Sequence, residues 1–324
     1  MTEADEMRRQ MEPVSGALRA FFAPVDREQE LATVFDPSRE FALDTPPAPW
    51  VDLGWVSDVQ RSATAKVESV RTGTKALAKL QFRTMSEARV TLEFCEWGKL
   101  QMALAAGSQH MNVLAGDAGS GPRAAGSAAP AAAAVAVGST ANELFLDTNG
   151  LAAFNAGDLV AVDVDYAQQA GYVGSGIAGA YVADPSKVSR DADYVRRVTF
   201  NVGRVREKTL TSLKLQQPLL GGAPASSAKA QKVVGFVDRE GASFLQEWSA
   251  LFVMPEVSGG RICFYYPRLV AGGPAEERVT DLASPYRVAA LRASFMALPW
   301  EDETDGEPVV CYRSFFPASG SAMY

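Results

Sequence analysis

The residues best able to do chemistry in this chain are few and widely spread. Gly174–Gly179 has the sequence GSGIAG and matches the GxGxxG pattern of dinucleotide-binding loops, with Asp191 and Asp193 downstream. Such a loop must open a helix whose N-terminus holds the pyrophosphate. Pro185 follows soon after, so no helix of useful length can form there. The motif therefore predicts a mobile glycine-rich loop, and we predict no bound cofactor.

His110 is the only histidine, so a serine or cysteine triad would need it at its centre. It lies in GSQHMNVL beside a low-complexity stretch, which is typical of a polar loop residue, and a single histidine excludes His-based metal clusters. Cys95, Cys263 and Cys311 are far apart and lack CxxC spacing, which favours free buried thiols. Carboxylates lie in solvated-looking runs without a recognisable catalytic pair. We predict no catalytic residues, no metal site and no enzymatic activity.

The chain has a formal net charge of −7, which argues against a general nucleic-acid binder. Five aromatic residues could be taken for a base-stacking platform: Trp248, Phe252, Phe264, Tyr265 and Tyr266. Because they alternate along predicted strands, a core or subunit interface is the better interpretation. The sequence contains no run approaching the ~20 apolar residues of a membrane span, and its N-terminus lacks the apolar stretch of a secretion signal. We therefore expect a soluble protein made in a reducing compartment.

The elements that would position any site begin with residues 53–104, which contain three strand-like runs and one helix-like run. Ala63–Val70 and Ala88–Phe94 alternate polar with small or apolar residues, as half-buried strands do. Ala76–Arg83 favours a strand, with a helix as the rival interpretation. Glu96–Ala106 changes to helical spacing. The pattern predicts a sheet with two long edges and one packed helix, and such a sheet needs a partner.

Residues 1–49 are predicted to form an extended arm. Gly16–Phe22 could make a short helix, but prolines break the remainder. An arm with scattered large apolar residues rarely folds alone, so we expect it to lie along another surface, its own or a neighbour's.

Composition divides the remainder of the chain. Gly/Ala-rich residues 116–141 and 221–228 are predicted linkers. Between them, residues 142–220 show several short strands with turns, which predicts an inserted small β-barrel or sandwich. Residues 50–115 and 229–317 would then form one interrupted β-domain.

The order of these elements resembles the major tail proteins of tailed bacteriophages and related injection-system tubes. The resemblance is carried by LGWV at Leu53–Val56, by ARVTLEFCEW at Ala88–Trp97 running into a short helix, and by a late strand pair before a C-terminal acidic loop and strand. It covers residues 50–115 and 229–317, about half the chain, and it shares pattern more than signature residues.

The resemblance implies a mainly β (α+β) fold: a tail-tube-like β-sandwich or barrel with a flanking helix. Six copies would close into a homo-hexameric ring, and rings would stack into a tube with other tail proteins at its ends. The hairpin at residues 63–94 would line the lumen, and the arm at residues 1–49 would contact the next ring. DNA would pass an acidic lumen without specific binding. The protein would reside in the virion tail after assembly in the bacterial cytoplasm.

An alternative function is a baseplate, adaptor or decoration ring, in which the inserted β-domain at residues 142–220 binds a host or partner surface.

Overall fold

The computed structural model describes residues 18–25, 31–36, 42–72, 77–114, 132–164, 195–240, 246–256, 259–272, 276–278 and 290–317. Across these residues the chain is mainly β with few helices, which confirms the predicted fold class at that level. The described residues fall into two compact units. The first is drawn from residues 18–107 and 246–317, and the second from residues 108–240.

The strands, numbered in chain order, are β1 Leu18–Pro24, β2 Val51–Thr72, β3 Leu77–Phe94, β4 Gln109–Leu114, β5 Ala133–Ala134, β6 Glu143–Phe145, β7 Leu159–Asp163, β8 Val202–Lys208, β9 Ser212–Leu215, β10 Lys229–Arg239, β11 Glu247–Pro255, β12 Arg261–Ala271, β13 Glu276–Arg278, β14 Ala290–Ala297, β15 Trp300–Glu301, β16 Pro308–Val309 and β17 Tyr312–Phe316. The α-helices in the described residues are α1 Lys99–Ala106 and α2 Thr148–Ala152, and a π-helical turn covers Arg196–Phe200.

The first unit is an open barrel built from one antiparallel sheet. The strand order is β13-β14-β3-β2-β1-β11-β12-β17. One edge of β12 is shared: Arg261–Tyr265 pair with β17, and Leu269–Ala271 pair with β14. This second pairing joins the two halves of the sheet, so six strands form a circuit that closes only along a short stretch.

The strand β1 is buried on both faces because it lies between two apolar layers. Phe22 faces inward, where its ring meets the ring of Phe252 edge-on with centroids 5.9 Å apart. Phe21, on the opposite face, packs with Phe35 and Trp50 of the following segment. Burying each of these side chains contributes about 1.5–3 kcal/mol. Apolar side chains therefore cover β1 on both of its faces.

This position replaces the possible short helix at Gly16–Phe22 with a strand over Leu18–Pro24, and it places that part of the expected arm on the chain's own sheet. The part of the arm that the structure describes contributes β1, which pairs with β2 on one side and β11 on the other. The segment after it is bound to the same unit: the Thr33 amide donates to Ser249 Oγ at 2.9 Å, and Tyr265 Oη donates to the Thr33 carbonyl at 2.9 Å. Tertiary pairing outweighs the weak local preference of LRAFFAP.

The predicted helix at Glu96–Ala106 is confirmed, with its first residue at Lys99. Its buried face includes Leu100 and Leu104 and packs against β14. Gly107 ends the helix with φ +62°, and a Cβ at this position would lie 2.8 Å from the Cβ of Ala271. Only glycine satisfies both the left-handed backbone and the close approach.

The second unit is a smaller barrel with its own core. Its strands run in the order β4-β10-β7-β8-β9-β6, and β5 pairs with β10. A bridge between Val135 and Leu146 joins the β5 segment to the β6 end, which closes the circuit. The side chains buried inside are mostly aliphatic: Val135, Leu144, Leu146, Leu151, Phe154, Val160, Val162, Val205, Leu213, Leu215, Leu219, Ala228 and Ala230.

The described strands extend this unit beyond residues 142–220. Lys229–Arg239, expected in the interrupted β-domain, pairs with β4, β5 and β7 of the second unit. Residues 132–141, expected in a linker, contain β5 and the buried Val135. Ala228, at the end of the other expected linker, is also buried. Small side chains that look like linker composition instead fit the narrow interior of a small barrel.

Candidate assembly interface

The β2–β3 hairpin extends far past the barrel that anchors it. β1 pairs with β2 only as far as Val56, and β14 pairs with β3 only from Ala88 onward. Beyond those points, among the described strands, residues 57–72 pair only with β3 and residues 77–87 pair only with β2. Residues 57–63 still pair with the part of β3 that β14 covers, so the two-stranded stretch is residues 64–72 with 77–87. We call residues 57–72 and 77–87 the ribbon. At about 3.3 Å per residue the open edge of β2 extends roughly 50 Å and that of β3 roughly 36 Å.

The ribbon leaves apolar side chains in solvent. Val70 lies directly opposite Leu80 in the register, and these side chains are 43% and 60% exposed. Val67 is 55% exposed on the other face. An isolated two-stranded ribbon is marginally stable in water, and two long unpaired edges invite a third strand. The predicted hairpin is thus confirmed, with the runs at Ala76–Arg83 and Ala88–Phe94 joined in the single strand β3. Its need for a partner stays a prediction.

Bulges interrupt the ribbon and its base. Gly54, with φ +80°, lies where β1 and β2 shift register, and Asp58, with φ +53°, lies in the shift between Ser57 and Gln60. Two more shifts follow farther out. Bulges increase twist and bend an edge away from indiscriminate pairing. The bulges therefore twist the open edges, and any strand that pairs with these edges must have a matching twist.

The ribbon sequence is basic although the whole chain is acidic. Residues 57–72 and 77–87 contain five Lys or Arg and three Asp or Glu, a net of +2 against −7 for the chain. Lys66 and Glu68 form an exposed pair at 3.2 Å. Exposed acidic side chains occur outside the ribbon, for example at Glu301 and in the loop that follows it. The ribbon by itself does not supply the acidic lumen that the resemblance implied.

His110 is buried inside the second unit, which corrects its prediction as a loop residue. It lies in β4, and its Nε2 is 2.8 Å from Thr199 Oγ1. Asn112 Nδ2 donates to the Val198 carbonyl at 3.4 Å. Both contacts attach β4 to the π-helical turn at Arg196–Phe200. His110 is thus part of a buried structural network.

Asn201 holds the bend that precedes β8. Asn201 Nδ2 donates to Asp163 Oδ2 at 3.2 Å, and the Val162 amide donates to the Asn201 carbonyl at 2.8 Å. These bonds bend the chain before β8 starts at Val202. A strand pattern alone does not reveal such side-chain-to-backbone contacts.

The three cysteines lie in different surroundings. Cys95 is exposed, Cys263 is fully buried and Cys311 is intermediate, so the prediction of buried thiols is correct for Cys263 alone. Burial raises the pKa of the Cys263 thiol to about 12. The same cause raises the pKa of Tyr265 above its ordinary value. Neither group ionises near neutral pH, so neither serves as a nucleophile.

The predicted aromatic cluster is core. Trp248, Phe252, Tyr265 and Tyr266 are buried, and Phe264 is partly buried. The GSGIAG motif at Gly174–Gly179, together with Asp191 and Asp193, lies outside the described residues.

Within the described ranges, no three His, Cys, Asp or Glu side chains gather as a metal site would require. No described helix has the length and apolar character needed to cross a bilayer. The chain matches no model of a known protein family and shows no significant match to a curated protein.

Proposed function

We propose that this chain is a structural subunit of a phage tail tube, in which six copies form a ring and rings stack around a DNA channel. The observation that carries the proposal is the ribbon, whose two edges stay open along residues 57–72 and 77–87 in the described part of the chain. Such open edges make a monomer prone to aggregate, and closure of a ring pairs them.

The geometry of the ribbon supports a head-to-tail contact between copies. Within one copy β2 and β3 are antiparallel. If ribbons in a ring all point the same way, the open edge of β2 in one copy faces the open edge of β3 in the next, and these strands are again antiparallel. Each copy then contributes two strands to one continuous sheet, and closure leaves no free edge.

The tube would conduct DNA without binding it specifically, and the net charge of −7 agrees with weak attraction to phosphates. The basic excess within the ribbon is balanced in this proposal by acids elsewhere on the subunit. Its other partners would be further tail proteins at the ends of the tube. The protein would occupy the tail of the virion after assembly in the bacterial cytoplasm.

A second candidate function is a baseplate, adaptor or decoration ring that binds a surface through the second unit. Leu210 is 95% exposed in the turn between β8 and β9, and Val137 is 89% exposed in a turn after β5. Apolar side chains presented at turn tips favour contact with another protein. In this function the first unit would form a finite ring.

Assembly of the purified full chain tests both functions. Light scattering across a concentration series would be combined with negative-stain imaging. Stacked rings with a central channel support the tube, and rings that never stack support the second candidate. A chain that stays monomeric at high concentration contradicts both.

A further inference from the structure

Arg61 connects the base of the ribbon to a different wall of the barrel. Its guanidinium carbon lies 4.6 Å from the ring centroid of Phe264 and 5.5 Å from that of Tyr266, both in β12. Arg61 Nε also donates a hydrogen bond to Tyr266 Oη. In the strand order, β1 and β11 separate β2 from β12. The contact therefore crosses the barrel opening.

The bulge at Asp58 makes this contact possible. Beyond it, Arg61 pairs with Val90, whose side chain is fully buried in the barrel. Directly opposite residues of an antiparallel pair share a face, so Arg61 points to the barrel side. Without the extra residue, the alternation would place position 61 on the outer face. Arg61 can therefore reach β12 only because the bulge precedes it.

Cys311, just before β17, completes the contact. Arg61 Nη2 lies 3.3 Å from Cys311 Sγ, and the Tyr266 hydroxyl is hydrogen-bonded to the same sulfur. Burial raises the pKa of Tyr266, so its hydroxyl keeps a proton to donate to the sulfur while its oxygen accepts from the guanidinium. We call Arg61, Phe264, Tyr266 and Cys311 the Arg61 clamp.

We propose that Arg61 is a positioning residue, which fixes the angle at which the ribbon leaves the barrel and so sets where the ribbon meets the next copy. The second half of this statement rests on the proposed function, and the first half does not. From Arg61 to the end of β2 the ribbon extends roughly 36 Å, so a tilt of about 10° would move the tip by roughly 6 Å, more than the spacing of paired strands. Strand addition between copies cannot tolerate that error.

The angle can be measured in the monomer. Spin-labelled non-canonical residues would replace Gln81 in the ribbon and Arg313 in β17, which are both exposed, and the distance distribution would be recorded by pulsed electron resonance. We expect Arg61→Met to broaden or shift the distribution. Lys66→Met, which also removes a ribbon cation, should leave it unchanged. An Arg61→Met distribution identical to that of the unsubstituted chain overturns the clamp.

Assembly provides the second readout. We expect Arg61→Met to raise the critical concentration about tenfold, equivalent to about 1.4 kcal/mol, at an unchanged melting temperature. Arg61→Lys should fall between, because lysine keeps the charge but loses the planar stacking group. Tyr266→Phe keeps the ring and tests the hydroxyl alone.

The two readouts separate the two proposals. If the unsubstituted chain never assembles, the proposed function fails while the label distances still test the clamp. If Arg61→Met assembles like the unsubstituted chain despite a broadened distribution, Arg61 fixes the angle but its role in meeting the next copy is overturned, and the tube function stands.

Discussion

Phe22 of β1 and Phe295 of β14 meet inside the barrel of the first unit, with ring centroids 5.6 Å apart. Their strands are not neighbours, since β2 and β3 lie between them in the sheet. The contact therefore crosses the interior and shows that the N-terminal strand closes the core. This relationship changes what truncation of the N-terminus should do.

We expect deletion of residues 1–25 to unfold the first unit, because it removes a strand that is paired on both edges and buried on both faces. From sequence alone, removal of residues 1–45 would leave a folded core. Circular dichroism and solubility of the truncated chain decide between these outcomes. As a finer probe, Phe22→Ala should cost about 3–5 kcal/mol in denaturant unfolding, and Phe22→Leu distinctly less. A truncated chain with a native melting transition would contradict the expectation.

We expect charges on the ribbon to block assembly without destabilising the monomer. Val70→Asp with Leu80→Asp places two carboxylates opposite each other on an exposed face, which repels an approaching strand. Exposed substitutions usually change stability by about 0.5 kcal/mol or less. The measurement is sedimentation of assembled material beside thermal melting. Leu210→Asp, at an even more exposed side chain in the second unit, is the control for the tube. Assembly of the double variant at the normal concentration would count against the ribbon as the interface.

We expect the cysteines to react with an aromatic disulfide reagent in the order Cys95, Cys311, Cys263. Cys95 is exposed, whereas burial raises the pKa of Cys311 and brings that of Cys263 to about 12. Because the thiolate is the reacting species, a raised pKa slows reaction in addition to restricting access. Mass spectrometry of partly labelled protein identifies each site. Rapid labelling of Cys263 in folded protein would show that the core around Phe21 is not closed.

We expect the stability of the first unit to rise with pH between about 7 and 10.5. Burial lowers the pKa of Lys99 from 10.5 to about 7. In that window the unfolded chain binds more protons than the folded chain, so raising the pH favours folding. The slope cannot exceed about 1.4 kcal/mol per pH unit for one proton, and we expect less because Lys99 keeps partial access to solvent. Denaturant unfolding across this range should show the rise, and Lys99→Met should flatten it. An equal slope in that variant would assign the effect to other groups.

We expect residues 108–245, expressed alone, to fold cooperatively. The strand circuit of the second unit closes on itself, and its buried aliphatic cluster lies within these residues. A sigmoidal thermal transition measured by circular dichroism would agree with this, and Leu144→Ala should lower its midpoint. The shorter fragment 142–220 lacks β5 and β10 and should not fold. If both fragments folded equally well, the boundaries of the second unit would be residues 142 and 220, as the composition suggested.

Much of the sheet could be predicted because its pattern is local. In Ala88–Phe94 every second residue is buried, so the alternation of types and the alternation of environments coincide. The hairpin and α1 were predicted for the same reason: turn residues and helical spacing lie within a few positions of each other. His110 was misplaced because nothing in its neighbours indicates the buried contact with Thr199, far along the chain.

Local residue patterns were enough to predict a mainly β protein, a long hairpin before a short helix, and a separate segment of short strands. The folded chain was needed to show that Leu18–Pro24 is a strand, that Lys229–Arg239 belongs to the second barrel, and that a bulge at Asp58 turns Arg61 toward β12. The physical reason is common to all three. Each depends on which strands become neighbours when a sheet closes, and that is set by burial and pairing between distant residues, which a local pattern does not contain.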